Sequence, residues 1–330
     1  MDIDALQLAR KDQWDRMRVL SRQRTMSGAQ VDELARLYQI TAGDLAAVRS
    51  QTPDADLQRT LSVSIGRARA ALTGTQGMNG HAIAYWFRRA LPAALYRTRW
   101  WILGVTAAFI VFATWQAWAL MSDPTAMGLI GTASQLENYA KHDFVQYYSQ
   151  DTHAEFGLSV WVNNAWIAVV CIGAGITGVL PIKMMLDNAL NLGVSAAIVI
   201  HYASPAQFFS FILPHGLPEL TAIFTAGGAG LRTCWSMLVP GHRTRLQAVA
   251  HTGRSMMTVA GGCVLLLLVS GFLEGFVTPS SLPVWFKIAA GVLVVVAFWV
   301  LIFSTGRRAA QEGATGDLET DTGYSQPVAG

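Results

Sequence analysis

"FILPHGLPELTAIFTAGGAGLR", Phe211 to Arg232, is the stretch on which the fold turns. Most of it is apolar enough for a lipid bilayer. It nevertheless holds two prolines, Pro214 and Pro218, and two ionisable groups four residues apart, His215 and Glu219. A charge at mid-bilayer costs about 2.5–3.5 kcal/mol on insertion scales, so such residues persist where they meet a partner, water or a ligand. Proline removes a helix hydrogen bond, and the freed backbone groups must be satisfied by protein or water. The run Pro-His-Gly-x-Pro predicts a discontinuous or re-entrant segment, broken at Pro214, Gly216 and Pro218. On a continuous helix His215 and Glu219 would share a face.

Outward from this stretch the chain alternates long uncharged runs with charged ones. Only 14% of its 330 residues are charged and 52% are hydrophobic, against about 25% charged in a soluble domain. Composition therefore predicts an all-α, polytopic transmembrane bundle. Six spans are expected: 100–121, 165–182, 188–203, 208–239, 255–277 and 284–304. The fourth is too long for one straight crossing. The basic loops carry Arg88, Arg89, Arg97 and Arg99, then Lys183, Arg243, Arg245 and Arg254, then Arg307 and Arg308. The opposite loops hold only Lys141 and Lys287. The positive-inside rule then puts both termini in the cytoplasm of a plasma-membrane protein.

The first 75 residues read as a cytoplasmic three-helix bundle. Leu6, Leu8, Trp14, Met17 and Leu20 fall near helical spacing, and Leu34, Leu37, Tyr38, Thr41, Leu45 and Val48 form a second face. Ser27 and Gln30 form a capping box. Thr52 and Pro53 restart a helix, continued by Leu57, Leu61, Ile65, Ala68 and Leu72. A linker covers 74–80. Residues 81–99 mix aromatic groups with Arg88, Arg89, Arg97 and Arg99, which suits an amphipathic helix lying in the headgroup region. These arginines point to membrane lipids, not nucleic acid. An acidic outer segment covers 122–162, with an aromatic-bearing helix in "SQLENYAKHDFVQYYSQ". The tail, 306–330, reads as disordered and cytoplasmic. The three cysteines, Cys171, Cys234 and Cys263, sit in or beside apolar runs as small buried hydrophobes.

The buried polar candidates are His215, Glu219 and Glu274 in the outer half. Asp187, Asn188 and Asn191 belong to the inner half, with Arg232 as an interface anchor, and Asn163 and Asn164 open the second span. Helix packing is expected at Gly173, Gly175 and Gly178, at the pair Ala226 and Gly230, and at the G-x-x-x-G pair Gly271 and Gly275, within one chain or across a homo-oligomer. His215 with Glu219 and Glu274 resembles a zinc ligand set, although H-x-x-x-E alone lacks the specificity of established zinc motifs. No cofactor is firmly implied.

"LPHGLPELTAIFTAGGAGLR" resembles the Pro-His-Gly…Glu-Leu…Ala-Gly-Leu signature of the stage II sporulation protein M family in its longer, actinobacterial-type form. "NNAWIAVVCIGAGITGV", "DNALNLG" and "EGFVTPS" match in order, and "LYQITAGDLAAVRS" is similar to the family's N-terminal extension. The resemblance covers nearly the whole chain. It implies a polytopic scaffold that organises peptidoglycan-active enzymes outside the cell, with a MoxR-type ATPase and von Willebrand-like proteins as neighbours inside. Three functions are expected in this order: a scaffold for envelope remodelling, a transporter or channel using the polar site, and an intramembrane metal-dependent hydrolase.

Overall fold

The computed structural model describes residues 3–23, 26–51, 55–72, 80–144 and 153–317. The described elements are helices, and the chain forms two compact units divided between Ile83 and Ala84.

The N-terminal unit contains α1 (Ile3–Leu20), α2 (Gly28–Gln51) and α3 (Ala55–Leu72). Met17, Leu20, Leu34, Leu37 and Ala68 pack in one cluster, and Trp14, Leu45, Val48 and Leu61 in a second. Ser27 and Gln30 close the capping box: the Ser27 amide donates to Gln30 Oε1 at 2.9 Å, and the Gln30 amide to Ser27 Oγ at 3.4 Å. The Trp14 indole donates to Asp44 at 3.0 Å, so its buried N–H is satisfied. Leu8 departs from the predicted face and is 88% exposed, because it stands two positions from Leu6, on the other side of the helix. Thr52, Pro53 and the linker up to residue 79 lie outside the described residues.

Among the described residues the second unit holds six long helices. They are α4 (Leu91–Ser122), α5 (His153–Gly173), α6 (Val179–Tyr202), α7 (Pro205–Leu238), α8 (Arg245–Phe272) and α9 (Val284–Leu301). Among the described residues four helical stretches are long and apolar enough to cross a membrane: Ile83–Ser122, Val179–Tyr202, Arg245–Val277 and Val284–Gln311. α7 occupies the position expected for the fourth span. The second, expected over 165–182, is displaced: α5 ends at Gly173, a turn covers Gly175–Thr177, and α6 begins at Val179. Large apolar side chains such as Val111, Trp118, Leu293 and Val300 are exposed on the outer surface of the unit. That is the outward face a lipid-facing helix presents.

α7 is the central helix. Every residue from Thr221 to Gly230 is buried, and the stretch consists mainly of Thr, Ala and Gly. A helix buried on all sides needs small residues wherever neighbours approach closely. A Cβ on Gly230 would stand 2.1 Å from the Cys171 carbonyl oxygen, and one on Gly175 would stand 2.7 Å from Gly230 Cα. These two glycines let the end of α5 lie directly on α7.

The expected break in the fourth span is not there. α7 runs without interruption through Pro214, Gly216 and Pro218. Neighbouring helices tolerate the altered ladder. The Pro214 carbonyl, deprived of its usual donor by Pro218, abuts Gly291 of α9 so closely that a Cβ there would come within 2.4 Å. The adjacent His215 carbonyl accepts a hydrogen bond from Ser270 Oγ of α8 at 2.8 Å. Prolines inside membrane helices persist on such terms.

Three further expectations change. Residues 81–99 are no separate interfacial helix. They lead through Gly80–Tyr85 and a π-helical turn, Trp86–Ala90, straight into α4. Ala90 to Leu95 are buried, and Gly306 packs on the Pro92 carbonyl at a distance no larger residue allows. Small side chains at 90, 93 and 94 make this a packing surface. The tail is folded as far as residue 317: Arg307–Gln311 is helical, Asp317 is 1% exposed, and it pairs with Arg254 at 2.6 Å. Residues 318–330 lie outside the described residues. Of the aromatic outer segment, Tyr139 and Phe144 fold inward, and Phe144 packs against Phe208 and Phe211 of α7. That segment begins at Pro124–Ile130, capped by Asp123, whose carboxyl the backbone amides of Thr125 and Ala126 hold below the usual carboxylate range.

Candidate metal centre

His215 and Glu219 lie one turn apart on α7, so both face the same neighbour. That neighbour is the end of α8, where the helix widens into a π turn, Leu273–Val277, carrying Glu274. A π turn inserts one residue into the α-helical repeat and re-aims the side chains around it. One ligand-capable atom from each of His215, Glu219 and Glu274 lies within 4.8 Å of the other two. His215 Nε2 stands 3.7 Å from Glu274 Oε1. His215 and Glu274 are only 4% and 3% exposed. Glu219 is half-buried.

The surroundings fix how these groups present themselves. The Thr278 amide closes the π turn on the Leu273 carbonyl at 2.8 Å, and the Thr278 hydroxyl donates to the same carbonyl at 3.1 Å. Its lone pairs are then left to accept from His215 Nδ1, 3.3 Å away. A neutral imidazole held so carries its proton on Nδ1 and turns the Nε2 lone pair toward the two carboxylates. Asn164 of α5 donates from Nδ2 to Glu219 Oε1 at 2.8 Å. Glu274 Oε2 is buried without a hydrogen-bond partner among the described residues.

Three lone-pair donors facing one another repel unless a proton or a metal ion lies between them. The donor set is chemically apt for a divalent metal. Zinc takes His nitrogen and carboxylate oxygen at about 2.0–2.2 Å, and its catalytic sites keep three protein ligands and one open position. Thr278 behind His215 and Asn164 behind Glu219 occupy the places of outer partners that orient metal ligands. Beside the cluster lies a cavity of ≈ 680 Å³, lined by Glu219, Asn188, Asn191, Ser195, Tyr139 and Asp143 among others. Glu219 thus joins the buried centre to a polar space.

The candidates expected from sequence divide accordingly. His215, Glu219, Glu274 and Asn164 come together. Asn188 and Asn191 do not form a separate inner cluster, because they line the same cavity as Glu219; Asn188 also bonds the Met184 carbonyl at 2.8 Å. Asp187 is spent on Lys183 one turn away, at 2.5 Å. Asn163 is exposed, since its neighbour Asn164 holds the inward face of α5. Arg232 bonds Thr98, not the cluster. Among the expected packing residues, Gly175, Ala226 and Gly230 are buried, as is Gly275 within the π turn, while Gly271 is half-buried. Gly173 meets open space, because the close packing begins two residues later, at Gly175. Gly178 serves the turn into α6 with φ +66°, a conformation that favours glycine. Sequence reasoning missed Thr278 and Ser270. The sequence signal for Thr278 is its place four residues after Glu274.

The sequence model of the Stage II sporulation protein M family matches residues 102–279, more than half of the chain. The chain belongs to the stage II sporulation protein M family. With four helices able to cross a bilayer, it is a membrane protein of that family. All three candidate ligands, Asn164 and Thr278 fall inside the family's matched region, whereas α9, with Gly291, lies beyond it. A second sequence model, a domain of unknown function (DUF8413), matches residues 4–74, the span of the three N-terminal helices. No curated protein and no solved structure matches the chain.

Proposed function

We propose that the membrane domain holds a divalent metal ion, Zn²⁺ by the chemistry of its donors, between His215, Glu219 and Glu274. The observation that carries this reading is the convergence of three lone-pair donors beside a buried carboxylate oxygen, Glu274 Oε2, with no hydrogen-bond partner among the described residues. An H-x-x-x-E spacing alone lacked a third ligand, and Glu274 supplies it. Three ligands leave a coordination position for water, and the polar cavity at Glu219 gives that position a supply. The reaction class this arrangement supports is metal-assisted hydrolysis. Metal content tests it. Full-length protein purified without chelator should carry about one Zn²⁺ per chain for a three-ligand site, and His215→Ala and Glu274→Gln should lose it. Metal-free protein that takes up none from added Zn²⁺ would overturn the reading. Zn²⁺ passage into sealed liposomes would move it from hydrolysis to transport.

Family membership and the separate N-terminal unit favour a second reading that can hold alongside the first. In it the chain sits in the plasma membrane with both termini cytoplasmic. It organises envelope remodelling, with peptidoglycan-active enzymes on its acidic side and a MoxR-type ATPase on its basic side. Affinity capture of the tagged protein from membranes should return members of one of these classes, and recovery of neither would count against it.

A further inference from the structure

We propose that Arg97, Arg99 and Arg232 form a binding site for a phosphate-bearing anion at the basic end of the membrane domain. The three side chains line a cavity of ≈ 350 Å³ together with Tyr96, Ala310 and Gln311. Each guanidinium is held in place by neutral groups. Arg97 Nε donates to the Ala314 carbonyl at 3.0 Å and its Nη2 to the Ala310 carbonyl at 3.5 Å. Arg232 Nη1 donates to Thr98 Oγ1 at 2.8 Å, and the Thr98 hydroxyl passes its own proton to the Ala94 carbonyl. Arg99 donates to the Tyr96 carbonyl at 2.6 Å and stacks over the Tyr96 ring at 3.7 Å. A guanidinium offers five N–H donors, and the protein engages at most two on any of them.

Among the described residues none of the three has a carboxylate partner. Neighbouring acids are already committed: Glu312 to Arg89 at 2.6 Å, and Asp317 to Arg254 at 2.6 Å. The chain has thus neutralised adjacent cations and left these three around one space. Their forked, planar donors match phosphate oxygens in a bidentate manner. Basic pockets between membrane helices at this level take lipid headgroups. Trp100, 67% exposed beside Arg99, marks where the apolar surface begins, so an anionic phospholipid with its tails along α4 fits this position. The site does not depend on the metal reading.

The test uses full-length protein released from vesicles of mixed phosphatidylcholine and phosphatidylglycerol, with retained lipid read by native mass spectrometry. Wild type should retain phosphatidylglycerol, and the Arg97→Gln/Arg232→Gln double variant should lose it. Arg99→Gln touches only its own helix, which keeps the test free of a folding defect. Retention there should fall about tenfold, the scale of one charge-assisted contact. Displacement of the lipid by millimolar inorganic phosphate, in wild type alone, would support the same chemistry with a soluble phosphate compound as its source. Equal retention by wild type and all variants, unaffected by phosphate, would overturn the proposal.

Discussion

Thr278 shows how much of a buried centre can depend on a residue with no charge. Its hydroxyl spends its proton on the Leu273 carbonyl and so accepts from His215 Nδ1, which aims the other ring nitrogen at Glu274. Thr278→Val keeps the shape and removes this orientation. Affinity of the proposed site for Zn²⁺, measured by competition with a chelating dye, should fall by about 10–100-fold, the usual cost of losing an outer partner of a metal ligand. Thermal stability should change far less. His215, Glu219 and Glu274 were legible in the sequence because an ionisable group in an apolar run is costly and therefore conspicuous. Thr278 and Ser270 were not. Hydroxyl residues in helices ordinarily bond their own backbone, as Thr221, Thr225 and Thr233 do here. Nothing in the letters of Thr278 and Ser270 marks them as residues that reach across to another helix.

α7 keeps its helical course through two prolines because its neighbours complete what the prolines remove. Gly291 is the contact that matters most on the α9 side. Its missing Cβ allows α9 to rest on the Pro214 and Leu213 carbonyl oxygens, which would lie 2.4 Å and 2.9 Å from a Cβ at that position. Gly291→Ala should lower the thermal stability of the membrane domain, at a cost of about 1–3 kcal/mol for forced overpacking. Gly104→Ala in α4, where added volume meets open space, should leave the melting temperature near wild type. The prolines read as a break because local rules treat an interior proline as a helix end. That rule assumes solvent or nothing across from the freed carbonyl, and here it is another helix. The same limit explains residues 81–99. Their arginines and aromatic groups fit a surface helix, yet the alanines between them seat other chain segments.

At the scale of the whole molecule the two compact units have separate cores, Met17, Leu34 and Leu37 in one and the α7 surroundings in the other. Leu34→Ala should destabilise the N-terminal unit by about 2–5 kcal/mol, as deletion of a fully buried leucine does. Metal content at the proposed site should stay at the wild-type level, because Leu34 belongs to a separate core and effects at sites with no shared partners are independent. Limited proteolysis with metal analysis of the same sample checks both. The sequence by itself determined that the chain is helical, that it enters a membrane, where most of its long helices lie and which ionisable residues it places in them. Transfer free energy is a sum along the chain, so these properties can be read locally. Only the tertiary structure decided that α7 is continuous and that Glu274 meets His215. It also decided that Asn188 and Asn191 share a cavity with Glu219, and that Arg97, Arg99 and Arg232 surround one space. These depend on how closely and at what angle helices cross. Contacts such as Gly230 on Cys171 and Gly291 on Pro214 set that geometry, and each joins residues far apart in the chain.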